Sequence, residues 1–242
     1  MIALFTDFGL LGPYVGQVHA VLAEQAPGIP VVDLFHAVPN FDIRAGAYLL
    51  PAYTQFFPPG TVFLCVVDPG VGGVRRPVFI EADGRRYVGP DNGLFHILAR
   101  RAARTDCWLV RWRPPRLSAT FHARDLFAPV TAMLARGEMP DTEPAMLTQP
   151  IGSWPEDLAQ ILYFDHYGNA ITGIRAACVS RGTKIQIRRY VLDYARRFSE
   201  VSPGQAFWYE NANGLVEVAV NRGRADQALG LSPGEPVAIH NK

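Results

Sequence analysis

Thr61-Val62-Phe63-Leu64-Cys65-Val66-Val67-Asp68-Pro69-Gly70-Val71-Gly72-Gly73-Val74-Arg75-Arg76 is the stretch whose reading decides the fold. Thr61 to Val67 is apolar and β-branched, the composition of a fully buried strand, and the Pro-Gly-Val-Gly-Gly that follows cannot prolong it. Asp68 therefore stands where the strand ends. The turn glycines let backbone approach a ligand closely, and Arg75 lies far enough along for its cation to fold back toward the carboxylate. In open α/β sheets, ligands occupy the crevice beyond the carboxyl ends of the strands, so Asp68 is in the right kind of place.

Working outward, the same pattern repeats upstream. Ile2 to Thr6 reads as a buried strand ending at Asp7-Phe8-Gly9, and Pro13 to Leu22 carries helical spacing of apolar residues. Val31 to Phe35 is a further strand, closed by His36-Ala37-Val38-Pro39-Asn40. Asp42 is placed to cap a helix through Tyr48 and Tyr53, which Pro51 is expected to kink. Alternating strand and helix predicts parallel βαβ units in a layered, Rossmann-like α/β domain.

Downstream, Val78 to Glu81 and Arg86 to Val88 flank Ala82-Asp83-Gly84 as a hairpin. Pro90-Asp91-Asn92-Gly93 reads as a turn, Leu94 to Arg104 as a helix, and Trp108 to Trp112 as a strand. Thr120-Phe121-His122-Ala123-Arg124-Asp125 opens an amphipathic helix over Leu126 to Arg136, and the free N–H groups of such an entry put His122 beside a ready polar site. Gly137 to Pro155 loses periodicity and is read as a linker. It divides an N-terminal domain over residues 1–150 from a C-terminal domain over residues 156–242. In the second, short strands (161–164, 170–174, 184–187, 206–210, 215–220, 236–239) separated by glycine-rich turns predict a small antiparallel barrel or sandwich.

Composition excludes several function classes. With 23 basic and 22 acidic residues, the chain has no global field suited to nucleic acid or an anionic membrane. Three widely spaced cysteines, Cys65, Cys107 and Cys178, suggest neither a disulfide framework nor a cysteine metal site, and a reducing cytoplasm is the expected compartment. The chain begins directly with a strand and lacks a signal-like start, and no apolar run approaches the ~20 residues that span a bilayer. A dinucleotide fingerprint, a Walker loop, a nucleophile elbow and a zinc-protease helix are all missing. Asp7, Asp68, His122 and Asp165 lie on separate elements without paired ligand spacing, so no metal is expected.

What remains is a set of polar residues on strand ends and turns. Thr6-Asp7-Phe8-Gly9 with Pro13-Tyr14-Val15-Gly16, Val67 to Gly72, Gly89 to Gly93, Phe121 to Asp125, Asp165-His166-Tyr167-Gly168-Asn169, and Asn213-Gly214 through Asn221 occur in one order. Together they resemble the S-adenosyl-L-methionine hydroxide adenosyltransferases, the SAM hydrolases related to fluorinase and chlorinase, over essentially the whole chain. The resemblance implies an N-terminal α/β domain and a C-terminal β-barrel domain. It also implies a homotrimer whose ligand lies between one subunit's N-terminal domain and its neighbour's C-terminal domain. The reaction implied is displacement of L-methionine by water at C5′ of S-adenosyl-L-methionine, giving adenosine, with no cofactor.

By that resemblance Asp68, Arg75 and His122 hold the attacking water. The chemistry suits them: the sulfonium leaves without protonation, so the site needs positioning and nucleophile activation and no acid. Arg75 stabilises hydroxide character, while Asp68 and neutral His122 are both available as proton acceptors, and the sequence leaves open which acts. Arg76 is read as a solvated surface charge. For substrate binding, Asp7 resembles the acid on the ribose hydroxyls, Asp165 the acid on the methionine ammonium, and Asn169 the amide on the adenine edge. Phe41, Tyr167 and Phe198 resemble aromatic positions around adenine and ribose. Asn213 falls where the fluorinase has an Arg near the methionine carboxylate, and Arg222 where backbone touches adenine. Gly12, Ala123 and Gly173 depart from the family pattern outside the water-holding trio. The halogenases carry Tyr in place of Asp68, and a carboxylate there repels halide. Two alternatives are a non-catalytic adenosine or S-adenosyl-L-methionine binding protein and a metal-dependent nucleoside hydrolase.

Overall fold

The computed structural model describes residues 1–148 and 154–240. The chain divides into two compact units, Met1–Ser153 and Trp154–Lys242.

Unit 1 is built on strands β1 (Ile2–Thr6), β2 (Val31–Phe35), β3 (Val62–Val66), β4 (Arg76–Ala82), β5 (Arg85–Asp91), β6 (Thr105–Val110) and β7 (Thr142–Pro144). Among the described residues these form one sheet in the order β2-β1-β3-β5-β4-β6-β7. The β2-β1-β3-β5 half is parallel and the remainder antiparallel. Strands β1 and β3 are buried at every residue, which is why they read as unbroken apolar runs. Helices α1 (Tyr14–Gln25), α2 (Ile43–Thr54), α3 (His96–Arg101) and α4 (Ala128–Ala135) complete the unit. Val18 and Leu22 of α1 and Val130 and Leu134 of α4 join Leu4, Leu64 and Phe79 in one hydrophobic core.

The expected α/β class and the hairpin hold. Asp83 and Gly84 both have positive φ (49° and 76°), the conformation a two-residue hairpin turn requires. Asp42 caps α2 by accepting the Ala45 N–H at 2.8 Å, and the helix continues past Pro51 to Thr54 with its C-terminal two thirds almost wholly buried.

Five expectations are corrected. The helix expected from Leu94 is only His96–Arg101, and the strand expected from Trp108 begins at Thr105, because β6 must reach back to pair with Ala82. The segment expected as an amphipathic helix enters through a π-helical turn, Ala123–Phe127, and continues as α4 with most side chains buried, so it lacks a solvated face. The linker expected over Gly137–Pro155 contains β7, an edge strand whose Thr142 and Glu143 pair with Val110 and Leu109; residues 149–153 of it lie outside the described residues. An edge strand exposed on one side can be polar, which hides it from a periodicity search. Arg76 is no free surface charge: its Nε and Nη2 donate to the fully buried Asp91 carboxylate at 3.1 and 2.7 Å.

Unit 2 carries two antiparallel sheets. One has the order β12 (Ala206–Glu210), β13 (Leu215–Val220), β9 (Ala170–Arg175), β8 (Leu158–Phe164), the other β11 (Tyr190–Leu192), β10 (Lys184–Ile187), β14 (Ala238–His240). Both feed a single core of Ile161, Ile185, Leu192, Trp208, Val216 and Val218, and bridges at Gln160–Pro236 and Tyr194–Trp208 extend the pairing at their margins. No helix among the described residues is long and apolar enough to cross a membrane.

Candidate active site

Two cavities, each within one unit, collect the residues singled out from the sequence. In unit 1, β3 ends at Val66 and delivers Asp68 to the carboxyl edge of the sheet, where β1 delivers Asp7. The loop after Asp68 doubles back, and Gly72 is where it meets the loop before His122. Its φ is +79°, and a Cβ there would lie 2.4 Å from the Ala119 carbonyl oxygen, so only glycine permits the approach.

Asp68 and Arg75 are thereby joined as a buried pair, with side chains 5% and 9% exposed. Arg75 Nε donates to both Asp68 oxygens at 3.1 Å and Nη2 donates to Oδ2 at 2.5 Å. The same Nη2 reaches His122 Nδ1 at 2.9 Å, and the guanidinium lies over the Phe127 ring, 5.4 Å from its centroid. Phe127 closes the π-helical turn that begins just after His122, so one irregular turn supplies both partners.

A guanidinium only donates hydrogen bonds, so His122 Nδ1 is the acceptor and the neutral ring carries its hydrogen on Nε2. Burial first, then the Arg75 charge, holds the His122 imidazole below its usual range. The trio therefore combines a carboxylate, a fixed cation and a neutral imidazole whose Nε2 is a donor. Beside it lies a cleft of about 330 Å³ lined by Asp7, Phe41, Asp68 and His122, with Phe8, Tyr14, Asn40 and Phe121. Asp7 accepts the Phe41 N–H at 3.0 Å; burial raises its carboxyl above the usual range, opposed by that N–H. Phe41 itself is 72% exposed and holds φ at +65°, a left-handed backbone that costs a non-glycine residue about 1–2 kcal/mol. The loops after β1 and β2 are pinned together by Thr6 Oγ1 with His36 Nδ1 at 2.7 Å and by the Gly9 N–H on the His36 carbonyl at 2.8 Å.

In unit 2 a second cavity, of about 710 Å³, is lined by Asp165, Tyr167, Asn169, Phe198, Asn213 and Arg222, all six of the candidates placed there. Asp165 accepts the Asn169 backbone N–H at 2.8 Å and its side-chain Nδ2 at 3.0 Å. Phe198 packs edge-on against Phe207 and Tyr209, with centroids 5.1 and 5.4 Å away, and Arg222 has a left-handed backbone (φ 55°). Sequence reasoning missed Tyr209, Asn211 and Glu217, which line the same cavity. Glu217 carried a signal: it is the lone acid in the otherwise apolar strand Leu215–Val220. In unit 1 it missed the aromatic wall of Phe8, Tyr14 and Phe121, whose centroids stand 5.2–5.9 Å apart. No three His, Cys, Asp or Glu side chains among the described residues are grouped as metal ligands would be.

Comparison with known proteins follows this division. Residues 2–143 match the family model of the SAM hydroxide adenosyltransferase N-terminal domain, and residues 159–238 that of its C-terminal domain. An (R)-S-adenosyl-L-methionine hydrolase of Thermus thermophilus is 45% identical, with 97% of each chain covered. One of Salinispora arenicola is 38% identical, covering 98% of this chain and 97% of the relative. A crystal structure of an uncharacterized conserved protein from Thermotoga maritima superposes with a TM-score of 0.90 at 28% identity over the full length of both chains.

Proposed function

This chain belongs to the SAM hydroxide adenosyltransferase family, and from that premise we propose that it is an (R)-S-adenosyl-L-methionine hydrolase. Water attacks C5′ in line with the C5′–S bond, the C5′–O bond forms as the C5′–S bond breaks, and both electrons leave with sulfur. The products are adenosine, L-methionine as a neutral thioether, and one proton. The observation that carries this reading is the meeting of Asp68, Arg75 and His122 beside the unit 1 cleft.

Their roles follow from their hydrogen bonds. Arg75 is held in place by Asp68 and His122, and its fixed charge favours hydroxide character in a water whose pKa is ordinarily about 15.7. His122 offers Nε2–H and so holds the water oxygen, while Asp68 keeps a lone pair free on Oδ1 and accepts the proton. Asp7 takes the ribose hydroxyls, its two oxygens matching a cis-diol. In unit 2, Asp165 receives the methionine ammonium and Asn169 the adenine edge. Phe41, Tyr167 and Phe198 pack on adenine and ribose, Asn213 sits toward the amino-acid moiety and the Arg222 backbone toward adenine. Residues 1–150 thus act as the water-activating domain and 156–242 as the domain that contributes to adenine and methionine binding.

We further infer a homotrimer in which unit 1 of one subunit and unit 2 of the next enclose each substrate. Support comes from apolar side chains left in solvent near the unit 1 site loops: Leu10, Leu11, Phe41 and Val74 are each 72% or more exposed. Exposed apolar residues concentrated this way mark an interface. No separate cofactor enters this scheme, and three cysteines without disulfides fit a cytoplasmic location.

Turnover of S-adenosyl-L-methionine in ¹⁸O-labelled water tests the reaction directly. Label in the 5′-hydroxyl of adenosine, with one methionine per adenosine, is the expected result. Unchanged substrate, 5′-chloroadenosine or released ribose would each overturn the reading.

A further inference from the structure

Thr6 and His36 are buried polar residues, 1% and 6% exposed, that the chemistry above leaves without a task, and neither lines the unit 1 cleft. They meet because β2 carries one residue too many. Leu4 pairs with Asp33 but Phe5 with Phe35, so Leu34 is an extra residue, a bulge of the kind that re-aims side chains. Regular pairing would set Phe35 opposite Thr6, and the bulge brings His36 there instead. It also joins Asp33 to His36, which a regular strand turns to opposite faces. A carboxylate only accepts, so His36 Nε2 donates to Asp33 Oδ1 at 3.0 Å, the oxygen that also takes His19 Nε2 at 2.7 Å.

Thr6 Oγ1 bonds His36 Nδ1 at 2.7 Å and accepts the Phe8 N–H at 3.2 Å. The second bond closes a turn with Asp7 at its apex. A hydroxyl has one hydrogen and two lone pairs, so Thr6 serves both partners whether the ring nitrogen donates or accepts. Asp33, His36, Thr6 and Phe8 thus form one chain of bonds that fixes the backbone on both sides of Asp7. The carboxylate itself is gripped from the loop after β2, where the Phe41 N–H reaches Oδ2 at 3.0 Å from a left-handed backbone. Such a conformation persists only where its surroundings over-determine it. His36 links the two loops again through its carbonyl, which accepts the Gly9 N–H at 2.8 Å.

We propose that Thr6 and His36 are positioning residues for ribose recognition: their clamp holds the turn at Asp7 at a fixed distance from the loop bearing Phe41, so that the Asp7 carboxylate is aimed in advance and the site selects a 2′,3′-cis-diol over a deoxyribose. This rests on the reading that Asp7 takes the ribose hydroxyls. The Phe41 N–H uses one of the roughly four lone-pair sites of a carboxylate, so acceptors remain for two hydroxyls. A site built to bond a hydroxyl discriminates strongly against the analogue that lacks it.

The test is calorimetric binding of adenosine and of 2′-deoxyadenosine to the full-length wild type, Asp7→Ala, Thr6→Val, Thr6→Ser and His36→Leu. Wild type is expected to bind adenosine at least about tenfold more tightly, the scale of a hydrogen bond to a charged group. That preference should vanish in Asp7→Ala and shrink at least about threefold in Thr6→Val, which keeps shape but loses the hydroxyl, and in His36→Leu. Thr6→Ser, which retains the hydroxyl, should preserve it. Equal binding of the two nucleosides by wild type, binding of neither, an unchanged preference in a folded Thr6→Val, or its loss in Thr6→Ser would each overturn the proposal. If one of Thr6→Val and His36→Leu fails to fold, the other decides; failure of both would make the clamp a folding element and overturn the proposal too. A merely structural role would lower both affinities together and leave their ratio unmoved. The underlying reading fails separately: a preference that survives Asp7→Ala removes the ribose role of Asp7 itself, whereas one lost in Asp7→Ala and kept in Thr6→Val removes the clamp alone.

Discussion

Asp68, Arg75 and His122 illustrate how much one donor-only group decides. Because Arg75 must donate to His122 Nδ1, the imidazole hydrogen is forced to Nε2, which in the proposed mechanism leaves Asp68 as the proton acceptor. Asp68→Asn should therefore lower kcat at least about a hundredfold, the scale of losing a general base. His122→Gln, which retains a donor, should keep several times more activity than His122→Leu; equal losses would make His122 the base instead. The depressed His122 pKa also fixes a pH dependence. The ordinary imidazole value is about 6.5, so the unfolded chain binds this proton more readily than the folded one. The stability that His122 contributes is thus present above about pH 6.5 and lost as pH falls through the lower folded midpoint. Titrating His122 by NMR should give a midpoint below that of a free imidazole, rising toward it in Arg75→Gln, where the charge contribution is gone.

At the scale of elements, the site depends on loops crossing at the carboxyl edge of the sheet rather than on any one strand. The loop after β3 and the loop before the π-helical turn touch at Gly72, and its Cβ-free backbone is what lets Arg75 and His122 share a hydrogen bond. Gly72→Ala should cost about 1–2 kcal/mol from the left-handed backbone alone and reduce kcat/KM by displacing the His122 loop, readable by denaturant unfolding beside a turnover assay. The neighbouring Arg76 acts differently. It starts β4 and neutralises Asp91 at the end of β5, which also accepts the Thr148 N–H and hydroxyl. Removing one partner of a buried pair costs about 3–5 kcal/mol. Arg76 is a third exposed and Thr148 remains, so Arg76→Ala should cost about 2 kcal/mol in urea unfolding.

For the molecule as a whole, the proposed function assigns complementary halves of one reaction to the two cavities. The water-activating trio lies in unit 1, while the acid and amide assigned to methionine and adenine lie in unit 2. If adjacent subunits of a cyclic trimer share each site, Asp68→Ala and Asn169→Ala chains, inactive separately, should regain activity when co-expressed. Random mixing leaves about a quarter of the sites with both halves intact. No recovery in confirmed mixed trimers would place each site within one chain.

The sequence by itself determined the α/β class of unit 1, the antiparallel character of unit 2, and the strand-end positions of Asp7 and Asp68, because buried strands and the turns that stop them are written in local composition. It also carried, in the order of its short motifs, the resemblance that named the candidate residues. It hid β7, whose pairing depends on a neighbour's free edge, and it hid the partnership of Arg76 with Asp91, since the reach of a long side chain across a hairpin leaves no periodic mark. Only the tertiary structure could decide the tautomer of His122, which follows from the Arg75 donor that faces it from a segment far apart in the chain, and hydrogen-bond direction exists only once those groups have met.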